Sequence, residues 1–301
     1  MDKILTIDIG GSKIIVGLAD FCGNILQYEK FKLPEKYDID FLIDKICKMA
    51  ENYMSEKPVV AGVTIPGLAD AEKGMWLYAP FSGISNFNIC EILGQRLGIK
   101  VFCDNDVNAC ARAERRFGIC KSTDNFLWIT VSNGIGGAVF INGQIVYGDN
   151  QGAGEIGHFI VEENTENVCG CGKCGCLEAM ASGRGITKEY KNLTGKTLSA
   201  QDIANLAKSG DKDAIDVYYR AGFYIGKAVS YCVNLLNIEK TVIGGGVSND
   251  IELLDRGIQD ALEKYLFVSA NKNTVVKKTG LGYLAALLGS ASVAMEGEGY
   301  V

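Results

Sequence analysis

Two stretches of this chain repeat one order of events, and the repetition restricts the possible folds more than any other feature. Near the start the apolar run KILTIDI (3–9) meets Gly10-Gly11-Ser12-Lys13 and resumes as IIVGLAD (14–20). Much later NFLWITV (125–131) meets Ser132-Asn133-Gly134-Ile135-Gly136-Gly137 and resumes as AVFING (138–143). Glycines between two β-type runs signal a hairpin, because the tightest turns call for positive φ. After the first hairpin come a strand over 24–32 and a helix from Ile39, with Leu42, Ile43, Ile46, Met49, Ala50 and Tyr53 on one face. A buried strand PVVAGVTI (58–65), a helix over 88–97, a strand over 99–103 and a helix over 107–117 follow. After the second hairpin come QIVYG as a further strand, a polar, Cys-rich excursion (148–176) and helices to about 237. The strand 240–243 ends in Gly244-Gly245-Gly246, VVKK (275–278) is the last strand, and LGYLAALLGSASVA (281–294) a small-residue terminal helix. Two hairpin-led units, each trailed by helices, predict two α/β lobes facing a cleft, with a hinge near 106–120.

Composition sets the class. At 301 residues the chain is about two domains long, and 48% hydrophobic residues supply a large core. Thirty Lys+Arg against 36 Asp+Glu leave a net charge of −6, a poor footprint for a nucleic-acid partner. No apolar stretch approaches the roughly 18 residues of a membrane span, and MDKILTIDIGG turns polar before a signal peptide could form. The expectation is a soluble cytoplasmic protein that binds neither membrane nor nucleic acid. Seven of the 11 cysteines (22, 47, 90, 103, 110, 120 and 232) stand singly, as small core residues do. The other four crowd into Cys169-Gly-Cys171-Gly-Lys-Cys174-Gly-Cys176.

Four groups of residues can carry chemistry. Asp8 sits in an apolar strand, where a carboxylate is costly unless it is hydrogen-bonded or faces a cation. It can cap the turn that follows. It can also hold Mg²⁺ while the backbone N–H groups of residues 10–13 close on phosphate oxygens. The turn at 134–137 and the triple glycine at 244–246 offer similar cradles, so a nucleotide held between lobes is one reading. Asp104-Asn105-Asp106 before a helix is most simply an N-cap cluster. The alternative makes Asp106 a general base for a hydroxyl, since phosphoryl transfer needs positioning, Mg²⁺ and a proton acceptor. His158 is the one histidine; with Cys169, Cys171 and Cys176 it completes a tetrahedral zinc set, Cys174 being spare. Such a closed set is structural, and it would pin Glu155 and Glu178, which are otherwise ordinary solvated carboxylates.

Together these motifs resemble the ROK family of bacterial sugar kinases and repressors. The resemblance rests on Asp8-Ile-Gly-Gly-Ser-Lys13, IPG (65–67), DNDVNA (104–109), NGIGGAV (133–139), GAGEIGH (152–158), CGCGKCGCLEAMASG (169–183), IGGGV (243–247) and the LGYLAALLGSA tail, in order over nearly the whole chain. The Cys-rich block, with Cys174 as an extra, is the most specific of them. The resemblance implies a two-lobed actin-like ATPase (ribonuclease H-like) α/β fold with an active-site cleft between the lobes. It places residues 1–110 plus 281–301 in a smaller lobe and 111–280 in a larger, zinc-carrying one. It implies transfer of the ATP γ-phosphoryl to a hexose hydroxyl, most simply O6 of glucose, with Asp106 as general base. Gly67, Asn105, Glu155, His158 and Glu178 fall at sugar-binding positions. Asp8, Gly10, Gly11, Ser12, Lys13, Asn133, Gly134, Gly136 and Gly137 fall on the phosphate loops, and Gly245 and Gly246 near the adenosine. His158, Cys169, Cys171 and Cys176 fall on the zinc ligands, giving ATP, Mg²⁺ and structural Zn²⁺ as cofactors. Relatives are often homodimers or homotetramers.

Four positions depart from the pattern. Ser12 stands for the usual Thr and keeps its hydroxyl. Ser132-Asn133 replaces Gly-Thr in the second phosphate loop, which bears on ATP affinity. Phe87, in FSGISNFN (81–88), stands where glucokinases tend to have Trp, which bears on the sugar. Kinases for N-acetylmannosamine, allose or fructose, and a non-catalytic sugar sensor, are the alternatives. With seven residues before Asp8, no helix-turn-helix domain is expected ahead of it.

Overall fold

The computed structural model describes residues 2–79 and 83–300. They form two compact units. The first holds the chain up to Thr123, the segment Tyr147–Gly152 and the chain from Gly280; the second holds Asp124–Val146 and Ala153–Thr279. The units are nearly equal in length rather than one smaller and one larger, and the boundary expected between 110 and 111 falls inside a helix of the first.

The first unit runs β1 (Lys3–Ile9), β2 (Lys13–Asp20), β3 (Ile25–Lys32), α1 (Ile39–Met54), β4 (Val60–Ile65), β5 (Leu68–Asp70), β6 (Met75–Tyr78), β7 (Ser85–Asn88), α2 (Ile89–Leu97), β8 (Lys100–Asn105) and α3 (Asp106–Phe117). Its main sheet has the order β3-β2-β1-β4-β8, antiparallel through the hairpin strands and parallel from β1 through β4 to β8. The central strands β1 and β4 are buried almost end to end, which is why they read as unbroken apolar runs. The hairpin turn closes where the Gly10 N–H donates to the Lys13 carbonyl (2.9 Å). Neither Gly10 nor Gly11 has positive φ, contrary to the expectation for a glycine pair. A second sheet, β5-β6-β7, was not anticipated; Phe87 lies on β7 opposite Trp76. The first two residues of FSGISNFN, Phe81 and Ser82, lie outside the described residues.

The second unit repeats the plan with β9 (Phe126–Val131), β10 (Ile135–Ile141), β11 (Gln144–Ile145), α4 (Leu177–Ala181), α5 (Gly183–Thr194), α6 (Ala200–Lys208), α7 (Lys212–Leu236), β12 (Lys240–Gly244), α8 (Ile251–Tyr265), α9 (Val268–Asn271) and β13 (Val275–Lys278). The sheet order β11-β10-β9-β12-β13 has the same directions as the first, so the duplication in the sequence is a duplication of topology. Helices α7 and α8 pack closely because a Cβ on Gly222 would lie 2.1 Å from the Leu254 carbonyl oxygen.

The terminal helix α10 (Ala285–Gly297) returns to the first unit and buries Ala291, Ala294 and Met295 with Ile4 and Val60. Its small residues let it approach β4: the Ser290 hydroxyl donates to the Gly62 carbonyl (2.7 Å) and accepts from the Ile7 N–H (3.0 Å). Among the described residues no helix is long and apolar enough to cross a membrane.

Candidate active site

In the first unit, register places the acidic groups. Asp8 pairs with Thr64 across β1 and β4, and Thr64 pairs with Asp104 across β4 and β8, so three polar residues share one level of the sheet. Asp8 is 7% exposed and accepts a hydrogen bond from the Thr64 hydroxyl (2.7 Å). Burial pushes its carboxyl above the usual range, against the opposing effects of that hydroxyl and of Lys13. Thr64 was not singled out in the sequence, because only the register reveals its partner.

One residue beyond β8, Asp106 opens α3. Asn105 is the N-cap: its side-chain oxygen accepts from the N–H groups of Val107 (2.9 Å) and Asn108 (3.1 Å). The Asn105 amide donates to the Gly67 carbonyl (2.7 Å) and to Asp106 Oδ1 (3.1 Å). Capping and placement of Asp106 are therefore one device, and the amide holds Gly67, which needs its positive φ of 86°. Asp106 is half-buried, and its carboxyl is pushed up to about 7, first by burial and then by the charge of Asp8. That is the range in which a carboxylate can collect a hydroxyl proton at neutral pH. Ser12 and Lys13 follow the Gly10–Gly11 turn, and the Lys13 ammonium reaches the Tyr283 hydroxyl (2.9 Å).

In the second unit, glycines allow close approach. A Cβ on Gly134 would lie 2.4 Å from Glu178 Oε2, and that oxygen accepts from the Ile135 N–H (3.1 Å). Glu178 thus rests directly on the Asn133–Gly137 turn. Arg184, a residue the sequence did not flag, donates from Nε to the Asn133 carbonyl (2.8 Å) and lies 3.4 Å from Glu178 Oε1. Glu155 and His158 are each set by the glycine that precedes it: a Cβ on Gly154 would meet the Gly137 carbonyl at 2.4 Å, and one on Gly157 the Ile135 carbonyl at 2.1 Å. Gly136 lies on β10 beside them. Gly245 has a φ of 88° and passes so close to the end of β9 that a Cβ would lie 2.4 Å from the Val131 carbonyl, while Gly246 opens a short turn.

His158, Cys169, Cys171 and Cys176 place one ligand atom each within 4.8 Å of one another. Cys169 Sγ lies 3.6 Å from His158 Nδ1, and Cys171 Sγ 3.6 Å from Cys176 Sγ. A tetrahedral zinc with bonds of about 2.0–2.3 Å needs edges of roughly 3.5–3.8 Å, so the set fits a metal ion. Turns prepare it: the Cys169 N–H donates to the Lys173 carbonyl (2.8 Å) and the Gly175 N–H to the Asn167 carbonyl (3.1 Å). Cys174 is exposed and outside the set. With Nδ1 facing the thiols, His158 Nε2 lies 3.7 Å from Glu155 Oε2, and Glu178 sits in the first turn of α4, two residues after Cys176.

Comparison with known proteins gives these features a context. The model of the ROK family matches residues 4–296. The chain is 30% identical to the glucokinase of Halalkalibacterium halodurans, over 97% of this chain and 94% of that protein. It is 27% identical to the DNA-binding transcriptional dual regulator NagC of Escherichia coli, over 93% of this chain and 72% of the regulator. Among solved structures, a ROK family glucokinase from Streptomyces griseus in complex with glucose and AMPPNP is similar with a TM-score of 0.83 at 28% identity, over 98% of this chain and 99% of that one. The duplicated α/β units are thereby those of the two-lobed actin-like ATPase fold. With the family model spanning nearly its whole length, the chain belongs to the ROK family.

Proposed function

We propose that this ROK protein is an ATP-dependent hexose kinase that transfers the γ-phosphoryl group of ATP to O6 of glucose, with Asp106 as general base. The observation that carries the reading is Asp106 itself: a carboxyl on the first residue of α3, fixed by the Asn105 amide and held at about 7. In the reaction Asp106 takes the proton of the sugar hydroxyl. That oxygen bonds to the γ-phosphorus as the bond to the bridging oxygen breaks and ADP leaves. Asp8, steadied by Thr64, is the residue for the Mg²⁺ that accompanies the phosphates and offsets their charge. The turns at 10–13 and 133–137 take the phosphates, and Gly245 and Gly246 lie toward the adenosine. Glu155, His158, Glu178 and Gly67 take the sugar hydroxyls, since a carboxylate accepts two of them and so discriminates stereochemistry. Asn105, whose amide is already engaged, acts chiefly by holding Gly67 and Asp106. Zinc on His158, Cys169, Cys171 and Cys176 would lock the turn between Glu155 and Glu178. Thiolate ligation and free cysteines fit a reducing cytoplasm.

A second reading is a sugar sensor without turnover, favoured by the similarity to NagC and by Ser132-Asn133 in the second turn. A coupled ADP-release assay with Mg-ATP and a panel of hexoses, ketoses and N-acetylated sugars separates the two. Turnover on glucose supports the proposal, and turnover confined to N-acetylmannosamine, allose or fructose reassigns the sugar. Silence across the panel with sugar still bound by calorimetry favours the sensor.

A further inference from the structure

Asp104 is fully buried, and its two oxygens together accept from four donors. Oδ1 accepts from the Asn105 N–H (2.7 Å) and the Asn108 amide (3.2 Å); Oδ2 accepts from Arg112 Nε (2.9 Å) and the Tyr147 hydroxyl (2.8 Å). That matches what an ionised carboxylate can accept. Asn105, Asn108 and Arg112 cap or belong to α3, but Tyr147 lies 43 residues further along the chain. Its hydroxyl is held from both sides, accepting from Arg112 (2.5 Å) while donating to Asp104, and Arg112 also pairs with Glu296 on α10. Burial first, then the charge of Asp104, raise the Tyr147 phenol, so it stays a donor across the neutral range.

We propose that Tyr147 is a positioning residue for Asp106, acting through Asp104 and the Asn105 N–H. The inference rests on the reading of Asp106 as the base. Tyr147 opens the segment Tyr147–Gly152, which packs with the first unit although the chain on either side belongs to the second. Shortly after that segment come Glu155 and His158. One hydroxyl therefore secures both the turn that carries Asp106 and the start of the path to the proposed sugar residues. Without it, Oδ2 keeps only Arg112, and the carboxylate that fixes the Asn105 N–H can pivot. A displacement approaching 1 Å at a reacting group costs up to about 100-fold in rate, so a partial loosening is expected to cost about tenfold.

Tyr147→Phe isolates the effect. The ring stays beside Arg112, whose guanidinium lies 5.9 Å from its centre, and a cavity of about 300 Å³ lined by Asp104, Arg112, Tyr147 and Glu296 gives water a place next to the exposed carboxylate oxygen. The test measures kcat, both substrate KM values and the melting temperature of this variant in parallel with Asp106→Asn. The expected result is kcat lowered about tenfold, with both KM values within about twofold and an essentially unchanged melting temperature. Wild-type kcat in Tyr147→Phe beside an inactive Asp106→Asn overturns the positioning role and leaves the base reading standing. A fall in kcat matched by a lower melting temperature or by higher KM values for both substrates overturns it as well, since the hydroxyl is then a structural support. Full activity in Asp106→Asn removes the base and the positioning role together.

Discussion

The burial of Asp106 within the field of Asp8 predicts a carboxyl that titrates near neutrality in the free protein. Burial is the first cause and the Asp8 charge the second, and the two together bring Asp106 to about 7. With a midpoint there, about one Asp106 in a hundred is ionised at pH 5, half at pH 7 and about nine-tenths at pH 8. Burial also raises Asp8, against the Thr64 hydroxyl and Lys13. Replacing Asp8 by Asn removes the like charge but not the burial, so the Asp106 step moves down while staying above the ordinary carboxylate range. The sign for stability follows from linkage: the folded state binds this proton more tightly than the unfolded chain does. The contribution is fully present below the ordinary aspartate range and is lost as pH rises toward 7. Carbon-13 NMR of Cγ-labelled aspartate in metal- and nucleotide-free protein, with Asp106→Asn to assign the resonance, reads this directly. A wild-type Asp106 resonance that titrates near 4, or one unmoved by Asp8→Asn, would refute the electrostatic argument.

Two further outcomes test the scaffold around the site. Protein purified under reducing conditions is expected to contain one zinc per chain, and chelation or Cys171→Ser should raise hydrogen exchange in residues 158–178 and weaken sugar binding; unchanged exchange after metal loss would contradict the structural role. Gly62→Ala should lower stability by about 3 kcal/mol, because its Cβ would lie 1.8 Å from the Ser290 carbonyl oxygen and force α10 off β4. Chemical denaturation giving a midpoint equal to wild type would show that the helix yields more easily than this packing implies.

Much of this architecture is legible in the sequence, because its signals are local. The repeated strand–glycine turn–strand foretold both hairpins, the apolar runs of β1 and β4 foretold buried central strands, and the close spacing of Cys169, Cys171 and Cys176 foretold a cluster. What escaped depends on register or on distant parts of the chain. Thr64 meets Asp8 only because β1 and β4 pair in parallel at that level. Arg184 meets Asn133 across 51 residues, and Tyr147 meets Asp104 across 43. The three strands β5 to β7 are too short to show a period. The glycines of the second turn were legible as glycines but not for their reason: Gly134 and Gly137 make room for Glu178 and for the backbone at Gly154. Asn105 likewise proved to be cap and tether at once, a double use that residue type alone does not distinguish.

The most direct test of the central claim is sugar-dependent ADP release by Asp106→Asn beside the wild type, with sugar affinity followed by calorimetry. Asn keeps the shape of the side chain but has neither the charge nor a basic oxygen to take the proton. The account predicts sugar binding within about twofold of wild type and turnover lowered by roughly 10²–10⁴, the usual worth of a general base. Wild-type turnover in Asp106→Asn would contradict it.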